Sequence, residues 1–153
     1  MKWYKPRTKM DTIKFNCVVS STNLAVPLGL EIWLDQHKLF DQDHIDQDHN
    51  IEHEISDDDG DHELRFVLKH KQSDHTQVDA DGNIIGDATV TVSDIRFDGI
   101  DCQYLITTLA QYRHDFNGTG EITCQSFYGE LGCNGTVSLK FSTPIYIWLL
   151  ENM

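Results

Sequence analysis

The sequence predicts an all-β fold, a two-sheet antiparallel β-sandwich of jelly-roll type. Three observations carry this reading. Apolar and polar residues alternate along a series of runs, as on half-buried strands. Asp-Gly and Asn-Gly pairs, the residues that form tight turns, separate those runs. No long stretch shows the apolar period of an amphipathic helix. Strands that are apolar on one face need a second layer to cover that face, and two packed sheets provide it.

The elements follow in order. The opening "MKWYKPRTKM" holds Lys2, Lys5, Arg7 and Lys9, and residues 1–11 read as a basic arm ahead of a single sandwich domain, 12–153. In "TIKFNCVVS", Ile13, Phe15, Cys17 and Val19 share one face. In "LGLEIWLD", Leu28, Leu30, Ile32 and Leu34 share a face, and Glu31, Trp33 and Asp35 oppose them. "IEHEIS" groups Ile51, His53 and Ile55, which makes His53 a core or interface histidine. "HELRFVLKH" turns Leu64, Phe66 and Leu68 inward. In "TVTVSDIRFDG" the parity changes between Val92 and Ile95, the mark of a bulge or of a strand serving two sheets. "CQYLITTLAQY" is the one helical candidate, and a short one. "TVSLKFS" aligns Val137, Leu139 and Phe141. "PIYIWLL" is apolar on both parities, so it is a central strand or a short buried helix; its aromatic and β-branched content favours strand.

A chain of 153 residues is long enough to bury a core without staples. Its net charge of −13 is unusual and unevenly spread: most of the 25 acidic residues lie between Glu31 and Asp101. Such a body repels nucleic acid and anionic membranes and suits divalent cations or a basic partner. No apolar run reaches the ~18 residues of a membrane span, and no apolar segment follows the basic start, so neither a span nor a secretory signal is expected. The cysteines, Cys17, Cys102, Cys124 and Cys133, lack zinc or redox spacing. Reduced thiols are expected, with a Cys102–Cys124 or Cys124–Cys133 bridge left open.

The tetrad Asp-Gln-Asp-His occurs twice in "DQDHIDQDHN". An offset of five puts His44 and His49 on opposite faces of a strand. On a helix it rotates them roughly 140° apart. Regular structure therefore builds no single site from both, and a solvated loop is the stronger reading. Calcium is the better metal candidate, because it takes several oxygen ligands from carboxylates and carbonyls. The clustered oxygens are Asp79 and Asp81 in "VDADGN", Asp94, Asp98 and Asp101 in "SDIRFDGID", and the run "SDDDGD". Each is equally a turn. For catalysis the sequence offers no nucleophile elbow, no HExxH and no phosphate loop, so an enzyme is not expected. Among the aromatics, Trp33 opposes the core-facing leucines, and it and Tyr104 are the candidates for stacking on a sugar.

Two resemblances follow. "LEIWLDQHKLFDQDHI", "HELRFVLKHK" and "ATVTVSDIRFDGID" resemble the core strands of calcium-dependent carbohydrate-binding modules attached to xylanases. That resemblance implies calcium held by loop aspartates that coordinates sugar hydroxyls, with Asp94, Asp98 and Asp101 in that place. The chain departs from it in the segment Asp74 to Asp87 and in everything after Asp101. Across more of the chain, "GLEIWLD", "HELRFVLK", "DIRFDGID", "HDFNGTGE" and "GCNGTVSLKFSTPIYIWLLENM" resemble small proteins of tailed, particularly marine, bacteriophages. This resemblance implies a virion structural or adhesion protein, made in the host bacterial cytoplasm and built into the particle. Its expected partners are other virion proteins, further copies of itself and a cell-surface glycan.

Overall fold

Strand β1 (Thr12–Ser21) enters the fold first, followed by β2 (Gly29–Leu34), β3 (His37–Gln42), β4 (His49–Ser56) and β5 (Gly60–Lys69). The structure is a computed structural model that describes residues 11–153, so the basic stretch expected as an arm lies outside the described residues except for Asp11. A 3-10 turn leads to the short strands β6 (Thr76–Val78) and β7 (Ile84–Asp87). Then come β8 (Val90–Phe97), β9 (Ile100–Asp101) and helix α1 (Gln103–Leu109). The chain closes with β10 (Gln111–His114), β11 (Thr123–Ser126), β12 (Glu130–Leu131), β13 (Gly135–Thr143) and helix α2 (Ile145–Asn152).

The strands form two main antiparallel sheets and one ribbon. Sheet one has the order β12-β8-β1-β4, with β9 on β8; sheet two runs β11-β10-β13-β5-β2-β3; β6 and β7 pair only with each other. The chain crosses from one sheet to the other repeatedly: β1 and β4 belong to the first, β2, β3 and β5 to the second. The architecture is all-β and sandwich-like. The predicted alternation is what seals it. Ile13, Phe15, Cys17 and Val19 of sheet one and Leu30, Ile32, Phe66, Leu68, Val137 and Leu139 of sheet two are all buried in one cluster. Phe97 of sheet one meets Phe141 of sheet two at 5.2 Å between ring centroids, and Phe15 stacks behind it at 5.5 Å. Each buried ring or leucine contributes about 1.5–3 kcal/mol by leaving water.

The parity change in β8 is a bulge. Asn16 pairs with Arg96 and Val18 with Ser93, so Cys17 faces two residues, Asp94 and Ile95. Asp94 takes the extra turn with φ 52°. The bulge frees backbone groups, and Gln103 of α1 satisfies them: its Oε1 accepts the Ile95 N–H at 3.1 Å, and its amide nitrogen donates to the Val92 carbonyl at 3.1 Å.

Two expectations are corrected. The closing apolar run is a helix, not a strand. Pro144 has no N–H to extend the β13 ladder, and from Ile145 the chain turns helical, burying Ile145, Trp148 and Leu149 against the sheet. His53 is exposed and belongs to no core. Its strand β4 is the outermost of sheet one, where residues of inward parity lack a covering layer on one side.

The repeated tetrad resolves as a sheet-to-sheet connection. Its first half ends β3, and its second leads into β4. His44 Nε2 lies 2.8 Å from the Leu24 carbonyl, while Ile45 is fully buried and anchors the loop. His49 packs edge-on against Phe40 at 5.2 Å and joins the outer strands of the two sheets. All four cysteines are free thiols.

Candidate binding surfaces

The aspartates picked out for calcium fall in two places. Asp94 and Asp98 lie together on the outer face of sheet one, where the bulge and the β8–β9 turn hold both at positive φ. They border an open groove of about 670 Å³ with Lys14, Asn16, Glu52 and Arg96. Asp94 Oδ1 accepts a hydrogen bond from Arg96 Nε at 2.7 Å. Asp98 accepts the Lys14 N–H at 3.1 Å on one oxygen and the Tyr146 hydroxyl at 2.6 Å on the other. Asp101 accepts the Gln103 N–H at the start of α1. Asp79 and Asp81 sit apart, at the tip of the β6–β7 ribbon. There Asp79 Oδ1 accepts the amides of Asn83 and Asp81, both at 2.9 Å. The Asn83 amide is the main reason the Asp79 carboxyl titrates below its ordinary range. Among the described residues, no three His, Cys, Asp or Glu side chains gather as a metal-ligand set.

The candidate aromatics also separate. Trp33 lies on the outer face of sheet two and is half-buried. Its indole N–H donates to Glu31 Oε1 at 2.8 Å, the leading cause of the lowered Glu31 pKa. The Lys38 ammonium and the Arg65 guanidinium stand 5.1 and 5.3 Å from its ring centre. These cations occupy the π surface that a sugar would need. Beside them Lys69 links Asp41, Asp43 and Glu31 at 2.5, 3.0 and 3.2 Å. Tyr104, by contrast, projects from α1 and is 84% exposed.

Sequence reading missed an Asp–His–Thr array at the far end of sheet two. His62 Nδ1 lies 2.7 Å from Asp35 Oδ2, and its Nε2 lies 3.1 Å from Thr143 Oγ1. The sequence separations, 27 and 81 residues, leave no signal of it. The arrangement looks like a nucleophile relay, but the chemistry fails at the hydroxyl. Thr143 donates its proton to the Asp58 carbonyl and is buried, so its oxygen is neither free nor accessible to a substrate. The array instead ties the β2–β3 turn to the end of β13.

A further feature is apolar. The outer side of α2 presents Ile147, Leu150 and Met153, with Leu150 79% exposed, and Tyr146 beside them. The inward side of the same helix carries Trp148 and Leu149. The β6–β7 ribbon also exposes Val78, Ile84 and Ile85. No helix among the described residues is long and apolar enough to cross a membrane. No protein-family model, curated protein or solved structure matches this chain.

Proposed function

We propose that the protein is a non-catalytic structural component of a bacteriophage particle, a jelly-roll-type sandwich that works in several copies joined through the outer face of α2. One observation carries the reading. On a chain with net charge −13, α2 offers an exposed apolar surface whose one side-chain carboxylate is Glu151. Like-charged bodies approach most easily where neither bears charge, and an exposed apolar patch rimmed by polar residues is the ordinary mark of a protein contact. The phage resemblance supplies the setting, a virion assembled from repeated subunits. Calcium forms no part of the proposal, because among the described residues no three His, Cys, Asp or Glu side chains gather as a metal-ligand set.

Size-exclusion chromatography with multi-angle light scattering tests it. The expected outcome is a defined multimer, reduced to monomer by the double substitution Ile147→Glu and Leu150→Glu with an unchanged circular-dichroism spectrum. A wild-type chain that stays monomeric at high concentration sinks the proposal.

A further inference from the structure

A second cleft lies where the sheets' outer strands converge, and it goes beyond the reading above. It is an open groove of about 280 Å³ between β12 of sheet one and β10 and β11 of sheet two, bordered by the end of β7. Of the residues singled out from the sequence, Cys133 lines it.

Its base is a carboxylate held half-satisfied. The Lys71 side chain is fully buried, and its ammonium sits 2.5 Å from Asp87 Oδ1 while also donating to the Ala88 carbonyl. The Thr76 hydroxyl donates to the same Asp87 oxygen at 2.7 Å. Asp87 Oδ2 has no donor among the described residues. Gly132 stands over it, and a Cβ at that position would come within 3.4 Å of this oxygen. Glu130 repeats the pattern: Oε1 accepts the Thr89 hydroxyl at 2.7 Å, and its second oxygen is without a donor among the described residues. On the wall, His114 accepts the Phe116 N–H at Nδ1 and meets the Gln125 amide at Nε2, so the ring is fixed in place. Ser126 leaves its hydroxyl unpaired among the described residues. At the rim stands Tyr128, 84% exposed, with its hydroxyl likewise unpartnered there. It precedes Gly129, which packs against Gln103 and Thr107 of α1.

These groups define the ligand by chemistry. Two free carboxylate oxygens want hydroxyl or N–H donors and repel anions. The cleft lining carries no Lys or Arg, and Lys71 behind it is buried and paired with Asp87, so no lysine or arginine is left to hold a phosphate or an acidic sugar. A wholly apolar guest would strand the two unpaired carboxylate oxygens without partners. An exposed flat ring at the rim suits the C–H face of a cyclic polyol. We propose that this cleft binds one ring of a neutral saccharide, its hydroxyls donating to Asp87 and Glu130 and its apolar face lying on Tyr128.

The test uses the full chain and saturation-transfer NMR. The probes are glucose, galactose, mannose and N-acetylglucosamine at about 10 mM, tenfold above a millimolar Kd. N-acetylneuraminate serves as the charged control. At least one neutral sugar is expected to take up saturation, with or without EDTA, while the charged control stays silent. Tyr128→Ala and Glu130→Gln each weaken binding about tenfold. Both side chains are exposed, so both variants keep the wild-type melting temperature. Silence from all four neutral sugars, an unchanged response in both variants, a response confined to the charged sugar, or loss of the signal in EDTA overturns the assignment. The α2 double variant retains sugar binding, so failure of the assembly proposal leaves this one standing, and the reverse.

Discussion

Asp35 shows how one side chain can join parts of the fold that are distant in sequence. It turns the chain between β2 and β3 at φ 53°, a conformation that aspartate and asparagine tolerate better than most residues. Its two oxygens accept from His62 and from the Glu63 N–H, at 2.7 and 2.8 Å. Burial works against its ionisation, but the His62 and Glu63 hydrogen bonds outweigh that effect and hold it below the ordinary aspartate value of 3.8. A lowered folded-state pKa adds stability that is complete above 3.8 and fades as pH falls through the folded value. Asp35→Asn keeps the turn but removes the charge. The side chain is 39% exposed, so the loss at neutral pH is small, about 1 kcal/mol. Melting temperatures of the two proteins should therefore differ at pH 7 and converge below pH 3.8. A difference that grows on acidification would show that Asp35 does not act through its charge. None of this is legible in the sequence, where Asp35, His62 and Thr143 lie far apart and each has an ordinary local context.

At the scale of elements, legibility follows local periodicity. Where a strand has one face in the core, the parity of its residues gives that face correctly, as in β1, β2, β5 and β13. The bulge in β8 is legible too, since an extra residue reverses parity. The reading fails on the edge strand β4, where His53 shares the parity of buried Ile55 yet is exposed, and where periodicity is silent. The run after Pro144 is apolar on every side, and Pro144, which cannot extend the β13 ladder, stands where the strand gives way to helix. The two Asn-Gly pairs show the same limit. Asn117 and Gly118 do form a tight turn, at φ 59° and 85°. Gly135 instead opens β13, where a Cβ would stand 2.3 Å from the Arg113 carbonyl and 2.8 Å from His114 Cβ. The glycine is there for close approach of β10. Gly135→Ala should force the two strands apart, at a cost of about 1–3 kcal/mol and a fall of roughly 2–4 °C in melting temperature per kcal/mol. An unchanged melting curve would mean that β10 shifts freely, which its full pairing with both β11 and β13 argues against.

For the molecule as a whole, charge and apolar surface oppose each other. A net charge of −13 on 153 residues makes copies repel at low ionic strength. The attraction proposed at α2 is apolar and insensitive to screening. Salt therefore separates two kinds of interface by the sign of its effect. If copies meet through Ile147, Leu150 and Met153, raising salt shortens the range of repulsion, from about 30 Å at 0.01 M to about 8 Å at 0.15 M, and association strengthens. If they meet through ion pairs such as those around Lys69, the same salt weakens them. Sedimentation velocity at the two ionic strengths should show a shift toward the multimer at the higher one. A shift toward monomer would move the contact off α2 and onto the charged face of sheet two.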